Sequence, residues 1–349
     1  MKLKKSLFIA ALLCLLGLTI WEFYWRTKPE YYKAYLEDDR NLWAEQRAKA
    51  EKANSKDVIL IGMSRTGYNF NTHIWEDTQG IKPIHLTMNG KSPIPVLEDL
   101  INNTNFNGTI VMGIVPIGVF TKLNTSRSRT AKTWVKHYYN RTYAQRLGFI
   151  LSKPLQRHLV MLSAGEMKYY NNLDLKSLLN TISIDDNRVK GSVRKLVNIG
   201  YNDDDRNLIM FPRLVDNPKY QKEITDHWDK GIPKLPDYSE NIEKNALKAF
   251  KYIDNLVKTF KSRGGKIIFV RHKAEDSWYR HAIRMMPREK VWDEFDKMID
   301  CPTYHFEDYE FMSKHTLPDW SHMNAEDAKT YTRDMVNQLI KDRHLKSFK

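Results

Sequence analysis

The stretch Asp57-Val58-Ile59-Leu60-Ile61-Gly62 constrains this chain more than any other. Its apolar run is too short for a helix, and no polar residue alternates within it. It therefore reads as a strand buried on both faces and closed by glycine. Ile84-His85-Leu86 and residues 109–112, 266–270 and 303–306 carry the same signal more weakly. Between them, residues 95–102, 241–263 and 287–298 favour helix, and 325–341 form a last helix. Strands alternating with helices predict an α/β domain, with a parallel sheet and helices on both faces.

Ahead of this domain, Lys2, Lys4 and Lys5 precede an apolar run over residues 7–21, which Glu22 interrupts before Phe23, Tyr24 and Trp25. With its aromatic flank the run reaches the ~20 residues of a bilayer-spanning helix. Trp21, Tyr24 and Trp25 then fall at the interface. A cleaved signal peptide would need small residues at the cut, and Leu18-Thr19-Ile20-Trp21 offers none. Leu13 likewise stands where a lipid-anchor site at Cys14 would need a small residue. Residues 1–26 are thus expected to be an uncleaved anchor. The leading lysines hold its start in the cytoplasm and place the rest outside. Residues 27–56, with Leu42, Ala44, Glu45, Ala48, Ala50 and Glu51, read as a helical stalk. The globular domain is expected over 57–345. Residues 118–240 break its rhythm, with helical pieces near 144–151 and 155–167, and read as an insertion or cap.

A formal net charge of +14 favours acidic partners such as anionic glycans or phospholipid headgroups. Nucleic acid is not expected: there is no zinc-finger spacing, no aromatic-glycine RNA signature and no basic helix with a dimerisation repeat. Cys14 and Cys301 make neither a disulfide framework nor a metal site. His73, His85, His305 and His315 have no partners at metal-ligand spacing and read as structural. No metal or cofactor is expected.

Three segments carry chemistry. Gly62-Met63-Ser64-Arg65-Thr66 puts a serine at the carboxyl end of the first strand. Pro318-Asp319-Trp320-Ser321-His322 puts Asp and His three residues apart, where the carboxylate can orient the imidazole and the imidazole can take a proton from a serine. Met88-Asn89-Gly90 follows the second strand, where the Gly90 N–H and the Asn89 amide can face an oxyanion. Taken singly, each is an ordinary cap or turn. In a parallel sheet, however, all three gather on one edge.

These blocks resemble those of the SGNH (GDSL-like) hydrolase superfamily. Gly62-Met63-Ser64-Arg65 resembles the serine block, without the literal Gly-Asp-Ser-Leu. Thr87-Met88-Asn89-Gly90 resembles the glycine block, and Asp319-Trp320-Ser321-His322 the C-terminal Asp-x-x-His block. The likeness covers roughly residues 57–117 and 264–340, and is strongest to membrane-anchored members acting on cell-envelope polymers, including those tied to polysaccharide O-acetylation. It implies a three-layer, flavodoxin-like sandwich around the parallel sheet. It also implies a Ser64–His322–Asp319 triad, with the oxyanion held at Ser64, Gly90 and Asn89. The expected function is an esterase or O-acyltransferase of acylated envelope glycans in the bacterial inner membrane, its domain periplasmic. A membrane acyltransferase is a partner this resemblance allows. One departure stands out: Gly113-Ile114-Val115-Pro116 replaces the superfamily's Gly-x-Asn-Asp block and lacks its third oxyanion donor. That departure keeps open a second reading, a membrane-tethered glycan-binding or assembly protein without turnover.

Arg65, Arg271 and His272 are candidate substrate-binding residues, because each follows a strand on the same edge; His272 also rivals His322 as base. Trp134, Tyr138, Tyr139 and Tyr143, beside Lys136 and Arg141, suit either sugar stacking or packing within the cap.

Overall fold

The computed structural model describes residues 2–27, 35–163, 199–231 and 236–349. Among the described residues seven strands form: β1 (Val58–Ile61), β2 (Ile84–His85), β3 (Thr109–Ile114), β4 (Gly200–Asn202), β5 (Leu208–Met210), β6 (Lys266–Arg271) and β7 (Thr303–His305). Five of them make one sheet in the order β2-β1-β3-β6-β7, and every pair in it is parallel. Counted within the sheet, that order is 2-1-3-4-5, so the winding reverses between β1 and β3. Ligands of open parallel sheets bind beyond the strand ends at such a reversal.

Side-chain alternation divides the interior into two clusters. Ile59, Ile61, Ile110, Met112, Ile114, Ile267 and Phe269 enter one. Val58, Leu60, Val111, Ile268, Val270 and Tyr304 enter the other. The helix Glu240–Ser262 supplies the first cluster with Ile242, Ala246, Ala249, Ile253, Val257 and Phe260, the 3–4 spacing of an amphipathic helix. Ser239 caps it by accepting from the Ile242 N–H. The helix Ala325–Lys341 supplies the second with Ala328, Tyr331, Met335, Val336 and Leu339, and Asn324 caps its start.

The expected stalk takes another form. Residues 28–34 lie outside the described residues, but the helix Arg40–Ala50 is built into the α/β core rather than standing free. Trp43, Ala44 and Ala50 belong to the first cluster, and the Trp43 indole N–H donates to the Leu86 carbonyl at 3.3 Å. Arg47, fully buried, pairs with Asp99 at 2.5 Å and with Glu51 at 2.8 Å. A charged residue every few positions made this helix look solvated, whereas the Arg47 charge is satisfied internally.

The chain divides into two units, one of residues 38–142 with 202–349, the other of residues 1–37 with 143–201. The expected insertion therefore shrinks. Residues 118–142, including the helix Ser126–Asn140, belong to the α/β unit, as do 202–240. Residues 164–198 and 232–235 lie outside the described residues, and with them the end of the helical piece expected over 155–167. In the other unit, the helix Lys2–Arg26 is long and apolar enough to cross a membrane, and its apolar window is exposed throughout. Its end meets the close of a second helix, Tyr143–His158: Arg26 Nη2 donates to the His158 carbonyl, and the Val160 N–H donates to Glu22.

Candidate active site

Ser64 opens the helix Ser64–Asn69 directly after β1, with Gly62 and Met63 making the turn. The turn is tight because Thr66 is wedged between two glycines. A Cβ on Gly62 or on Gly113 would overlap the Thr66 side chain. Gly62 also has φ +155°, and its carbonyl accepts from the Met88 N–H at 2.9 Å, which ties the serine turn to the segment after β2. The first backbone bond of the helix runs from the Gly67 N–H to the Met63 carbonyl. The Ser64 N–H, at the first helical position, has no intrahelical acceptor and is free to meet an oxyanion.

Asp319 and His322 sit on a loop pinned at several points. The Trp320 N–H donates to the Leu317 carbonyl, the Glu275 N–H to the Trp320 carbonyl, and the Leu317 N–H to the Glu275 carboxylate. Trp320 takes a left-handed φ of +65°, a conformation that costs a non-glycine residue about 1–2 kcal/mol. The turn lets Asp319 Oδ1 accept from the Ser321 and His322 N–H groups at 3.1 and 2.8 Å. Asp319 Oδ2 accepts from His322 Nδ1 at 2.7 Å, and His322 Nε2 lies 2.8 Å from Ser64 Oγ. Since the carboxylate can only accept, Nδ1 carries the proton and Nε2 is left to accept from the serine hydroxyl. Burial of Asp319 acts to raise its pKa, but the neighbouring His322 charge and three hydrogen bonds outweigh it and hold the group below the usual carboxylate range. The Tyr68 ring packs on the imidazole, centroids 4.7 Å apart. Tyr68 stands four residues after Ser64 on one helix face, a spacing that could have flagged it.

Of the candidate substrate-binding residues, Arg65 adjoins the relay loop and Arg271 lines a cavity with it. Arg65 Nε donates to Ser321 Oγ at 3.1 Å, while its Nη1 is buried without a partner. Arg271 Nη1 donates to the His272 carbonyl at 2.9 Å. Each arginine is only 4 % exposed. Both line a cavity of about 30 Å³ together with Val115, Trp278, His281 and Met285. Trp278, His281 and Met285 recur at 3–4 spacing on the helix Asp276–Met285, which the sequence reading did not anticipate. Val115 occupies the departing third block and brings no side-chain donor. His272 takes no part in the relay. It is fully buried, bonded through Nδ1 to the Tyr331 hydroxyl at 2.9 Å, and pushed down to about 3 by burial and by the Arg65 and Arg271 charges, so it is neutral.

The second block is arranged less directly. Gly90 is exposed with φ +65°, and its N–H is committed to no partner among the described residues. The Asn89 amide is already engaged, donating to Asp38 at 3.4 Å, and Asp38 is in turn held by Arg206 at 2.6 Å. Tyr138 and Tyr139 pack around Arg47, with the Tyr139 hydroxyl on Asp99, so both serve packing rather than an open sugar face. Trp134 lies under the Lys91 ammonium at 4.0 Å. No family model matches this chain, and no curated protein matches it.

Proposed function

We propose that this protein is a serine esterase or O-acyltransferase of the SGNH kind, tethered to a membrane by its first helix and acting on acylated cell-envelope glycans. One observation carries this reading: the unbroken chain Ser64 Oγ–His322–Asp319, with contacts of 2.8 and 2.7 Å, at the carboxyl edge of a parallel sheet. The 2-1-3-4-5 order and the two apolar clusters support a three-layer, flavodoxin-like sandwich, with Ser64 beside the winding reversal. In this reading the lysines before the anchor keep its start cytoplasmic and place the catalytic unit on the periplasmic side of the inner membrane.

His322 Nε2 takes the Ser64 proton as Oγ attacks the ester carbonyl. The N–H groups of Ser64 and Gly90 hold the oxyanion. As the intermediate collapses, His322 returns the proton to the departing alcohol and leaves an acyl-serine. A second hydroxyl, deprotonated by His322, then attacks the acyl-serine. Water makes the protein an esterase, and a sugar hydroxyl makes it a transferase. Exclusion of water decides between them. The missing third donor predicts a slow enzyme, because one such donor is worth about 10²–10³ in rate.

The test is fluorophosphonate labelling of the full chain in detergent, beside Ser64→Ala and His322→Ala. Labelling should vanish in both variants. A folded wild-type chain that stays unlabelled would favour the tethered glycan-binding reading, for which the departing third block speaks.

A further inference from the structure

Arg65 and Arg271 pose a physical problem that the relay does not solve. Neither is ion-paired with a carboxylate among the described residues. The nearest opposite charges are Asp319 for Arg65, and Glu307 for Arg271. Asp319 is already committed to His322, and Glu307 to Arg288 and Tyr279. Burial lowers the two guanidiniums to about 10 and about 9, which leaves both charged at neutral pH. Buried charge without a partner costs several kcal/mol. Of the nearby imidazoles, His272 is held neutral, and burial acts to lower His281 as well. With Asp319 and Glu307 engaged elsewhere, the two guanidiniums leave uncompensated positive charge on the cavity they line, and Arg65 Nη1 remains an unused buried donor.

The cavity between them does not end there. Ile117, Met285 and Met286 line both this cavity and a neighbouring groove of about 270 Å³, whose other walls include Lys122 and Arg127. Among the described residues, no acidic one lines either. We propose that the cleft takes a carboxylate-bearing glycan, with one sugar carboxylate seated on Arg65 and Arg271 and the chain running over Ile117 and Met286 toward Lys122 and Arg127. A planar carboxylate matches the guanidinium fork and accepts the unused Arg65 Nη1 donor. The apolar walls suit the carbon face of a sugar ring. This proposal deepens the serine-enzyme reading and rests on it for the placement of the acyl ester.

The probes are tetragalacturonate, galacturonate, cellotetraose and inorganic phosphate, used to protect Ser64 of the full chain from fluorophosphonate. Tetragalacturonate should slow labelling and cellotetraose should not. Arg271→Met should need about 10–100-fold more tetragalacturonate for the same protection, the value of a charge-assisted bond, and Arg271→Lys should fall between. Lys122→Ala should erase the advantage of the tetramer over the monomer. Equal protection by cellotetraose, or no change in Arg271→Met, would overturn the proposal. Stronger protection by phosphate than by galacturonate would overturn the carboxylate assignment. If wild type is never labelled, the serine chemistry fails and the cleft is read by melting instead. A galacturonate-dependent rise that Arg271→Met abolishes upholds the anion cleft alone, and no rise refutes it.

An independent observation concerns the other unit. The helix Tyr143–His158 buries none of its residues, and Tyr143, Leu147, Ile150, Leu151 and Leu155 stand exposed on it. It carries Arg146, Lys153 and Arg157 and no acidic residue. At 16 residues it is too short to span a bilayer, and its final turn is bonded to the end of the apolar helix at Arg26. We infer that it lies in the membrane surface, its apolar face among acyl chains and its cations at anionic headgroups. An environment-sensitive dye would be placed at Leu151→Cys or Gln145→Cys in a Cys14→Ser, Cys301→Ser chain, reconstituted with phosphatidylcholine and phosphatidylglycerol. Lipid-borne nitroxide should quench the dye at 151, and aqueous iodide the dye at 145. A dye at 151 that iodide reaches freely, or that neither quencher reaches because protein covers it, refutes the inference.

Discussion

Asp319→Asn isolates the part of the site that geometry assigns most specifically. The amide is the same size as the carboxylate, and its oxygen can still accept from the Ser321 and His322 N–H groups. Its NH₂ must then face His322 Nδ1, now 2.7 Å from a donor instead of an acceptor. The ring can satisfy that contact only by accepting at Nδ1, which moves its proton to Nε2. Nε2 then donates toward Ser64 Oγ and cannot take the serine proton. A wrong tautomer in a triad of this geometry lowers turnover by about 10⁴-fold, about 5 kcal/mol of transition-state stabilisation. The assay is the fluorophosphonate labelling rate together with hydrolysis of 4-nitrophenyl acetate, with melting to check the fold. The fold should survive while both rates collapse. A variant that melts like wild type and keeps a tenth or more of its activity would refute the assignment of Asp319 as the group that orients His322.

Other expectations follow from burial and packing. His85 and His272 are lowered to about 3, and His305 is also strongly lowered, in each case by burial first and then by neighbouring arginines. A histidine kept neutral in the fold binds its proton only when unfolded. Stability is therefore fully present above pH ~6.5 and is lost as pH falls toward the folded values, by about 2 kcal/mol per residue between pH 7 and 5, or roughly 6 kcal/mol for the three. Denaturant titrations at those two pH values check the sum; a flat profile would contradict it. Gly113→Ala forces a methyl into Thr66 and His272, so it should cost about 1–3 kcal/mol and slow Ser64 labelling, with Thr66→Ala restoring part of both. Asp99→Asn leaves the buried Arg47 charge with only the part-exposed Glu51 as carboxylate partner and should cost about 2–3 kcal/mol in a denaturant midpoint series, whereas loss of the exposed Lys222–Asp226 pair should cost less than about 1 kcal/mol.

Legibility in the sequence followed the range of the interactions. The contact of Ser64 with His322 and Asp319 was foreshadowed because a strand, a glycine and a serine lie within seven residues, and because one turn contains both Asp319 and His322. The sheet was readable because each strand announces itself locally by composition. The helix Arg40–Ala50 was misread as a stalk because its decisive partner, Asp99, lies 52 residues away. Arg47 then looks like a solvated charge. The 118–240 break was overdrawn for a similar reason: the aromatic and basic helix Ser126–Asn140 is held by Tyr139 bonding to Arg47 and Asp99, which nothing near it in the chain foretells. Asn89 was assigned to the oxyanion from its place in the block, but its amide is drawn to Asp38, 51 residues earlier.

The arginines show where local reading ends and energetics begins. Each follows a strand and could be marked singly as a candidate, yet the property that matters belongs to the pair. Arg65 follows β1 and Arg271 ends β6, with β3 running between those strands. Only the fold brings the two charges onto one cavity and withholds a counter-ion from both. A chain selected for stability alone would place an apolar residue at position 271, where transfer of an unpaired guanidinium out of water is a standing cost. Keeping the charge there destabilises the free protein, and the proposed carboxylate on Arg65 and Arg271 would offset that cost only when it is bound. If the proposed serine chemistry holds, that binding energy would be available to position the acyl group for attack by Oγ.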